Sequence, residues 1–314
     1  MRNHVVNRIT ALAQNDERIL LLTGDLGFGV LDEFSRKYPD RYVNCGIAEQ
    51  NMASVAAGLA LEGNMVFIYS IGNFPTLRCI EQIRNDICYH DANVKIIAVG
   101  GGFAYGTLGM THHATEDIAM MRALPNMRVF VPADAIEAVA ALEEAYRIPG
   151  PCYIRLARGG EPNCHPEEDQ FDVTGCCAFS SVGEDVNILT TGTVLEEGLT
   201  LRQLLEQSGY SAGIFSLPCV KPLSHESVEK LARSSRLLVS MEDHNIVGGF
   251  GGAIAEILSE ISGAHAVLHR VGLQDTYTCK VGSQDYLRRE YCISAESALP
   301  GVIALLSKLD AEGK

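Results

Sequence analysis

Clusters of basic residues are absent from this sequence. Its 25 lysine and arginine residues are spread among 39 acidic residues, and the formal net charge is −14. An acidic chain without a basic patch repels phosphate backbones and anionic lipid headgroups, so we expect no nucleic acid and no membrane surface as partner. Small anionic ligands stay possible where a local basic pocket binds them.

Long hydrophobic runs are also missing. No uninterrupted apolar stretch reaches the about 18–20 residues that a membrane-spanning helix requires. Residues 1–4 lead directly into an amphipathic segment and not into the apolar core of a signal peptide. The sequence therefore predicts a cytoplasmic protein.

Paired cysteine motifs are the third absence. The ten cysteines include no C-x-x-C pair, and all stand singly except Cys176-Cys177, whose role the sequence does not indicate. This pattern is typical of reduced, buried thiols in a cytoplasmic protein. Cys164-His165 has no further ligands at a matching spacing, so the sequence predicts no metal site.

A dinucleotide-binding fingerprint is missing too. The segment Gly24–Gly29 resembles G-x-G-x-x-G, but its glycines stand in the wrong order. Asp25 follows the apolar run 19–23, which predicts a buried strand. In α/β proteins this strand end is where ligand contacts occur, although Asp25 could equally cap the next turn.

Apolar runs and amphipathic segments alternate along the rest of the chain. The pattern predicts strands at 19–23, 65–70, 94–99, 128–131, 152–156, 186–190, 213–216, 237–240 and 265–271. It predicts helices at 3–14, 76–89, 116–124, 134–147, 194–208, 225–232, 253–262 and 296–308, and one more helix that has Glu49 in its first turn and continues through the small and apolar residues 52–61. Such alternation is typical of α/β domains with parallel sheets. A polar connector over 159–180 divides them, with the boundary near 175–183.

Glu49 precedes a segment of small and apolar residues and therefore begins a closely packed helix. One interpretation is a first-turn glutamate that complements the helix dipole, with Asn44 or a neighbour as cap. The other is a carboxyl group directed into an apolar pocket, where it donates a proton to a ligand. Spacing alone does not decide between them.

Four segments in order resemble the C-terminal half of the transketolase-like, thiamine-diphosphate-dependent enzymes. They are Gly46-Ile47-Ala48-Glu49-Gln50-Asn51-Met52, Gly109-Met110-Thr111-His112-His113 with the helix after it, Val131-Pro132-Ala133-Asp134, and Glu242-Asp243-His244 with Gly248-Gly249-Phe250-Gly251. The resemblance covers nearly the whole chain. It implies a pyrimidine-binding domain at 1–175 and a transketolase C-terminal domain at 182–314.

The resemblance also implies roles for individual residues. Glu49 matches the glutamic acid that hydrogen-bonds N1′ of the aminopyrimidine of thiamine diphosphate and so promotes loss of the C2 proton. Phe74 matches the aromatic residue that stacks on this ring, and His112 matches the histidine that contacts substrate oxygen and transfers protons. The remaining matches are a cofactor-side acid and two arginines that bind a sugar phosphate, which correspond to Asp25, Arg158 and Arg2.

One family motif is missing. Related enzymes bind the diphosphate and a divalent metal ion with Gly-Asp-Gly followed by an asparagine, and this sequence has no Gly-Asp-Gly. A diphosphate requires a metal ion and donor groups to neutralise it. We therefore expect a split transferase in which a separate diphosphate-binding subunit holds Mg²⁺ (or Ca²⁺). An α2β2 heterotetramer, with the cofactor between subunits, is the simplest assembly.

Three substrate contacts of sugar-phosphate transketolases also differ. Leu108 replaces an aspartate, and glycines stand at positions 100 and 29, where a histidine and a serine are expected. A site that loses hydrogen-bonding groups discriminates differently between substrates. The sequence predicts transfer of a two-carbon unit between sugars, onto an unusual or bulkier acceptor such as a modified or nucleotide-linked sugar.

Two other functions compete with this one. The chain could be the pyrimidine-domain subunit of an enzyme that decarboxylates a 2-oxo acid such as pyruvate and transfers an acyl group. It could also be a non-enzymatic scaffold that keeps the fold. The presence of Glu49, Phe74 and His112 favours an enzyme over a scaffold, but these residues serve both enzyme chemistries.

Overall fold

The chain folds around two sheets of mostly parallel strands. The structure is a computed structural model and describes residues 1–165 and 172–312. Part of the predicted polar connector, residues 166–171, lies outside the described residues. The prediction of two α/β units with parallel sheets is confirmed, and each sheet also carries one antiparallel edge strand.

The first sheet has the strand order β10-β5-β6-β4-β3-β1-β2. Its parallel strands are β1 (Ile19–Thr23), β2 (Tyr42–Asn44), β3 (Met65–Ile71), β4 (Val94–Val99), β5 (Arg128–Phe130) and β6 (Cys152–Leu156). The central strand β4 is buried along its whole length, as expected for a parallel strand with helices on both faces.

The helices of this first part are α1 (Arg2–Leu12), α2 (Asp32–Lys37), α3 (Glu49–Leu61), α4 (Ile80–Gln82), α5 (Asp117–Ala123) and α6 (Ala135–Arg147). The segment predicted as one helix at 76–89 instead divides into a 3₁₀ turn, α4 and the π-helical turns Ile83–Cys88. Its buried side chains Ile83 and Ile87 keep the spacing that predicted an α-helix. The apolar pattern therefore cannot show the wider turns.

The second sheet has the order β12-β11-β8-β9-β7. Its strands are β7 (Cys177–Ala178), β8 (Val186–Thr190), β9 (Ala212–Ser216), β11 (Leu237–Asn245) and β12 (Val267–Leu273). The helices of this second part are α7 (Leu195–Gln207), α8 (His225–Arg233), α9 (Phe250–Glu260), α10 (Gln284–Glu290) and α11 (Ala295–Ala311).

Strand β10 (Cys219–Lys221) lies in the second half of the sequence but belongs to the first sheet. It pairs antiparallel with β5, through Cys219 opposite Phe130. Lys221 also donates a 2.8 Å hydrogen bond from Nζ to the backbone oxygen of Arg122. The two parts of the chain are therefore joined by strand pairing as well as by the connector.

The segment Gln284–Ala311 has the length and mean hydropathy of a membrane-crossing helix. In the fold it consists of two helices, α10 and α11, separated by a turn. The side chains of Ala298, Val302 and Leu306 lie in the core of the second part. A core helix passes the same test of composition, so this segment is weak evidence for a membrane span.

Candidate active site

Glu49 is the first residue of α3, and its side chain is only 3% exposed. The helix begins after Ala48 without a side-chain cap. Asn44 does not cap α3; its Oδ1 accepts hydrogen bonds from the backbone amides of Asp25 and Gly46, each at 3.0 Å. Glu49 thus lies in the first turn, where it complements the helix dipole, but Asn44 does not provide the cap that this interpretation included.

The loop after β1 lies directly against Glu49. A Cβ atom on Gly24 would lie 3.5 Å from Cγ of Glu49, an ordinary van der Waals distance, so the loop and the glutamate are in contact range. Asp25 follows with a positive φ of 58°, and its Oδ1 accepts a 2.9 Å hydrogen bond from Nδ2 of Asn44. Asp25 lies in the loop beside the glutamate, and its role toward a cofactor stays a prediction.

Arg78 is a site residue that the sequence interpretation missed. Its Nη1 donates a 3.0 Å hydrogen bond to Oε2 of Glu49, and its guanidinium carbon lies 4.9 Å from the ring centroid of Phe74. One half-exposed side chain thus contacts both residues that the family resemblance assigns to the pyrimidine. No sequence spacing indicated this, because the two partners Glu49 and Arg78 stand on different elements of the fold.

His112 lies on the other side of Phe74. The two ring centroids are 5.3 Å apart in an edge-to-face arrangement, and Nδ1 of His112 is 3.1 Å from Oγ1 of Thr111. Burial, and then the neighbouring His113, lower the pKa of His112 from its ordinary value. The neutral imidazole, which can accept a proton, is therefore favoured.

His113, the next residue, anchors the loop by hydrogen bonds. Its Nδ1 is 2.6 Å from Oγ1 of Thr278, and its Nε2 is 3.0 Å from the backbone oxygen of Gly106. Asn73 adds to this anchoring, because its Nδ2 donates to the backbone oxygens of Thr111 and His113. The loop that carries His112 is thus held in place on both sides.

Tyr105 continues the row of site residues toward the arginines. Its ring centroid is 6.4 Å from that of His112, and the guanidinium carbon of Arg158 lies 5.6 Å from the same ring. A side chain at Gly100 would collide with this tyrosine, with Cβ only 2.1 Å from Cδ2. Tyr105 therefore fills the space next to Gly100, where the family resemblance led us to expect a histidine, and the sequence pattern did not indicate this.

Arg158 and Arg2 line one pocket of about 470 Å³, together with Asn3, His4 and the Gly159-Gly160 pair. Arg158 follows β6, and Arg2 begins α1, so two separate elements bring the guanidinium groups to the same place. A second pocket of about 450 Å³ is lined by Phe74, Arg78 and Thr111 among others. The residues predicted from sequence thus form one row from Glu49 to Arg2, and their roles stay predictions.

Comparisons with known proteins show which sequences and folds this chain resembles. Two family descriptions match, the pyrimidine-binding domain of transketolase over residues 1–161 and the transketolase C-terminal domain over residues 176–297. The chain is 33% identical to one of the subunits of the apulose-4-phosphate transketolase of Phocaeicola vulgatus, over 82% of this chain and 83% of that protein. It is 34% identical to the SqwH subunit of the 6-deoxy-6-sulfo-D-fructose transketolase of a Clostridium species, over 94% and 91%.

A solved structure is similar along the whole chain. It is a split-gene transketolase, described as an inactive β4 tetramer, and it aligns with a TM-score of 0.88 at 34% identity over 98% of both chains. The resemblance inferred from four sequence motifs is therefore confirmed.

Proposed function

Because the chain belongs to the transketolase family, we propose that the row from Glu49 to Arg2 is its half of a shared active site. The chain is a subunit of a two-component, thiamine-diphosphate-dependent transketolase-like enzyme, a transferase that acts with a partner chain. The two-carbon unit passes from a ketose donor to an aldehyde or ketone acceptor. The observation that carries the proposal is the buried carboxylate of Glu49, which Arg78 links to the adjacent rings of Phe74 and His112.

The side chains near Glu49 fit the pyrimidine end of the cofactor. A buried carboxylate can share a proton with a ring nitrogen, and Phe74 offers an aromatic face next to it. The diphosphate end of the cofactor has no comparable site here. The sequence lacks the Gly-Asp-Gly motif, and Oδ1 of Asp25, a potential metal ligand, already accepts a hydrogen bond from Asn44. In our proposal the partner chain supplies the diphosphate site and Mg²⁺ (or Ca²⁺), and Asp25 faces the cofactor from this side.

Thiamine diphosphate, when bound, supplies the nucleophilic carbon that takes up the two-carbon unit. Glu49 holds the proton shared with N1′ of the pyrimidine, and Phe74 fixes the plane of the ring. His112, as a neutral imidazole, accepts the proton from a substrate hydroxyl and returns it to the acceptor oxygen. The loop that carries His112 is anchored through Asn73 and His113.

Arg2 and Arg158 bind the terminal anion of the substrate in this proposal. Guanidinium groups suit phosphate and sulfonate oxygens, because they offer several donors in one plane. The relatives described above are named for a sugar phosphate and for a sulfo sugar, both of which carry such an anion. Two residues differ from those expected in sugar-phosphate transketolases: Tyr105 fills the space next to Gly100, and Leu108 stands where an aspartate is expected. In this proposal both change the lining of the pocket between the anion and His112, which favours an acceptor different from the common aldose phosphates.

The competing reaction, decarboxylation of a 2-oxo acid, is not favoured. The relatives and the solved structure described above are all named as transketolases. A terminal anion pocket also serves a sugar phosphate or sulfonate better than it serves pyruvate, whose single carboxylate lies next to the reacting carbonyl. The division of the chain at 1–175 and 182–314 remains part of the proposal.

The test is reconstitution of this chain with its diphosphate-binding partner. We expect ketose cleavage with transfer to an aldehyde, and no release of carbon dioxide from pyruvate. Glu49→Gln lowers kcat by about 10²- to 10⁴-fold, the usual contribution of a positioned acid–base group, without changing the circular dichroism spectrum. Glu62→Gln, an exposed change at the end of the same helix, is the matched control.

Two results would contradict the proposal. Full activity of the Glu49→Gln variant would show that Glu49 does not act on the cofactor. Turnover of pyruvate at a rate equal to that of ketoses would instead assign the chain to the 2-oxo acid enzymes.

A further inference from the structure

Three side chains of types that bind metal ions form a cluster, and none of them belongs to the row from Glu49 to Arg2. Glu137 belongs to α6, His165 to the connector and Cys177 to β7. Their ligand atoms all lie within 4.8 Å of one another, and all three residues are buried. The cluster joins the first part of the chain, the connector and the edge of the second sheet, and it does not depend on the proposed function.

His165 has the orientation that metal-binding histidines have. Its Nδ1 is 3.0 Å from Oδ2 of Asp134, and its Nε2 points to Glu137, 3.5 Å from Oε1. A carboxylate that accepts from one ring nitrogen of histidine fixes the ring and makes the other nitrogen a better ligand. Two donors about 2.0 Å from one tetrahedral zinc ion lie about 3.3 Å apart, close to the distance seen here.

Asp134 is itself firmly held. Its Oδ1 accepts from the amides of Ile136 and Glu137 as the N-cap of α6, and its Oδ2 accepts from the amides of Cys164 and His165. Burial acts to raise the pKa of Asp134, but the hydrogen bonds from His165 and from the backbone hold it at about 2. Asp134 is thus a fixed negative group behind the histidine.

Glu137 directs one carboxylate oxygen toward His165 in this cluster. Its Oε2 accepts a 2.6 Å hydrogen bond from the amide of Ala133, and Oε1 lies 3.5 Å from Nε2 of His165. The side chain is fully buried, and burial raises its pKa to about 7, although the nearby hydroxyl of Ser216 acts to lower it. A buried carboxylate carries a desolvation cost that a bound cation lowers.

Cys177 supplies the sulfur. It is buried, and burial raises the pKa of its thiol well above the ordinary value, so without a metal ion it stays a protonated thiol. A zinc ion deprotonates a coordinating thiol, and a set of imidazole, thiolate and carboxylate ligands suits Zn²⁺. The adjacent Cys176 provides a matched control in the same strand region.

We propose that Glu137, His165 and Cys177 bind a zinc ion, with a water molecule as the fourth ligand. Asp134 positions His165 for the metal. The ion fastens the connector to α6 and ties the edge strand β7 to the first part of the chain. Its role is structural, because its three ligands join α6, the connector and β7.

The experiment measures metal in the full chain. We expect about one zinc per chain by mass spectrometry of the purified protein after dialysis. After removal of zinc with a chelator, Co²⁺ gives visible d–d bands and a near-ultraviolet thiolate-to-cobalt band. Cys177→Ser abolishes the thiolate band, and Cys176→Ser keeps it.

Two further variants keep the test decisive if Cys177→Ser fails to fold. Asp134→Asn preserves the helix cap, since asparagine caps as well as aspartate, and it lowers the affinity for Co²⁺ about 10- to 100-fold. Glu137→Gln shifts the d–d bands. A chain that takes up neither zinc nor Co²⁺ overturns the proposal, as do spectra that are the same in wild type and Cys177→Ser, which would indicate an adventitious ion.

Discussion

At the scale of single residues, the contacts that form the candidate site join residues that are distant in sequence. Glu49, Phe74 and His112 were predictable because each stands in or next to a motif. Arg78 was not, because its contacts with Glu49 and Phe74 arise only when the loop after β3 folds over the start of α3. The pairing of His165 with Glu137 escaped detection for the same reason, since no ligand spacing in the sequence links them.

Arg78 occupies contacts that the cofactor ring would need. An ion pair with one half-exposed partner contributes at most about 1 kcal/mol, so its displacement costs little. We expect Arg78→Met in the reconstituted enzyme to tighten the apparent Kd for thiamine diphosphate up to about fivefold, measured by titration calorimetry. Arg84→Met, further along the same helical segment, is the control; weaker binding by Arg78→Met would mean that the arginine positions Glu49 instead.

At the scale of elements, β11 places five polar residues inside the molecule, and three of them contact helices. Glu242 accepts hydrogen bonds from the amides of Phe250 and Gly251 at the start of α9, at 2.6 and 2.9 Å. Asp243 pairs with Arg288 of α10 through a 2.6 Å contact, and His244 reaches α5. The sequence identified this segment by resemblance, but the structure gives it a structural role, because it connects one strand to three helices.

Gly249 tests this arrangement. A Cβ atom there would lie 2.1 Å from Oε2 of Glu242, so we expect Gly249→Ala to lower the free energy of unfolding by about 1–3 kcal/mol. Gly252→Ala, further into α9, meets nothing closer than 3.8 Å and should be neutral or stabilising by up to about 1 kcal/mol. Urea unfolding measures both, and equal effects of the two substitutions would contradict the assigned contact.

His244 makes stability depend on pH. Burial lowers its pKa to about 4, and its Nε2 accepts a 3.3 Å hydrogen bond from the amide of Ala119. The unfolded chain then binds more protons than the folded one between about pH 6.5 and 4, so stability falls as the pH is lowered through this range, by at most about 3 kcal/mol. His244→Gln keeps an acceptor that does not titrate, and its unfolding curves should lose this part of the acid dependence; an unchanged profile would assign it to other groups.

The short elements were the least predictable. β2, β7 and β10 have two or three residues each, too few to show an alternating pattern. The antiparallel edge strands β7 and β10 depend on tertiary pairing with β9 and β5. The long buried strands and amphipathic helices were predicted to within a few residues at most ends, because their apolar periodicity is fixed by burial on the sheet.

At the scale of the whole molecule, large apolar side chains are exposed beside the candidate site. Phe28 is 82% exposed and Ile47 is 78% exposed, while Leu77 and Met110 are about half exposed. Such exposed apolar groups are typical of an interface with another chain. This agrees with a site that is completed by a partner.

The exposed apolar side chains beside the candidate site predict how this chain assembles with its partner. Mixed with its partner, the chain should form an α2β2 particle by light scattering, and thiamine diphosphate should bind only to the mixture. Ile47→Asp should weaken assembly at least about tenfold, because a charge is buried at the contact. Val267→Asp, at an exposed position on the edge strand β12, is the control. Equal weakening by both variants would place the partner elsewhere.

The pairing of β10 with β5 has a consequence for motion. Strand β10 comes from the second part of the chain and pairs in the sheet of the first part. A hinge motion that separates the two parts would break this strand pairing and is therefore opposed by it. We therefore expect access to Glu49 to depend on the arrival and departure of the partner chain. In kinetic terms, we expect subunit association to set the rate of cofactor loading in this enzyme.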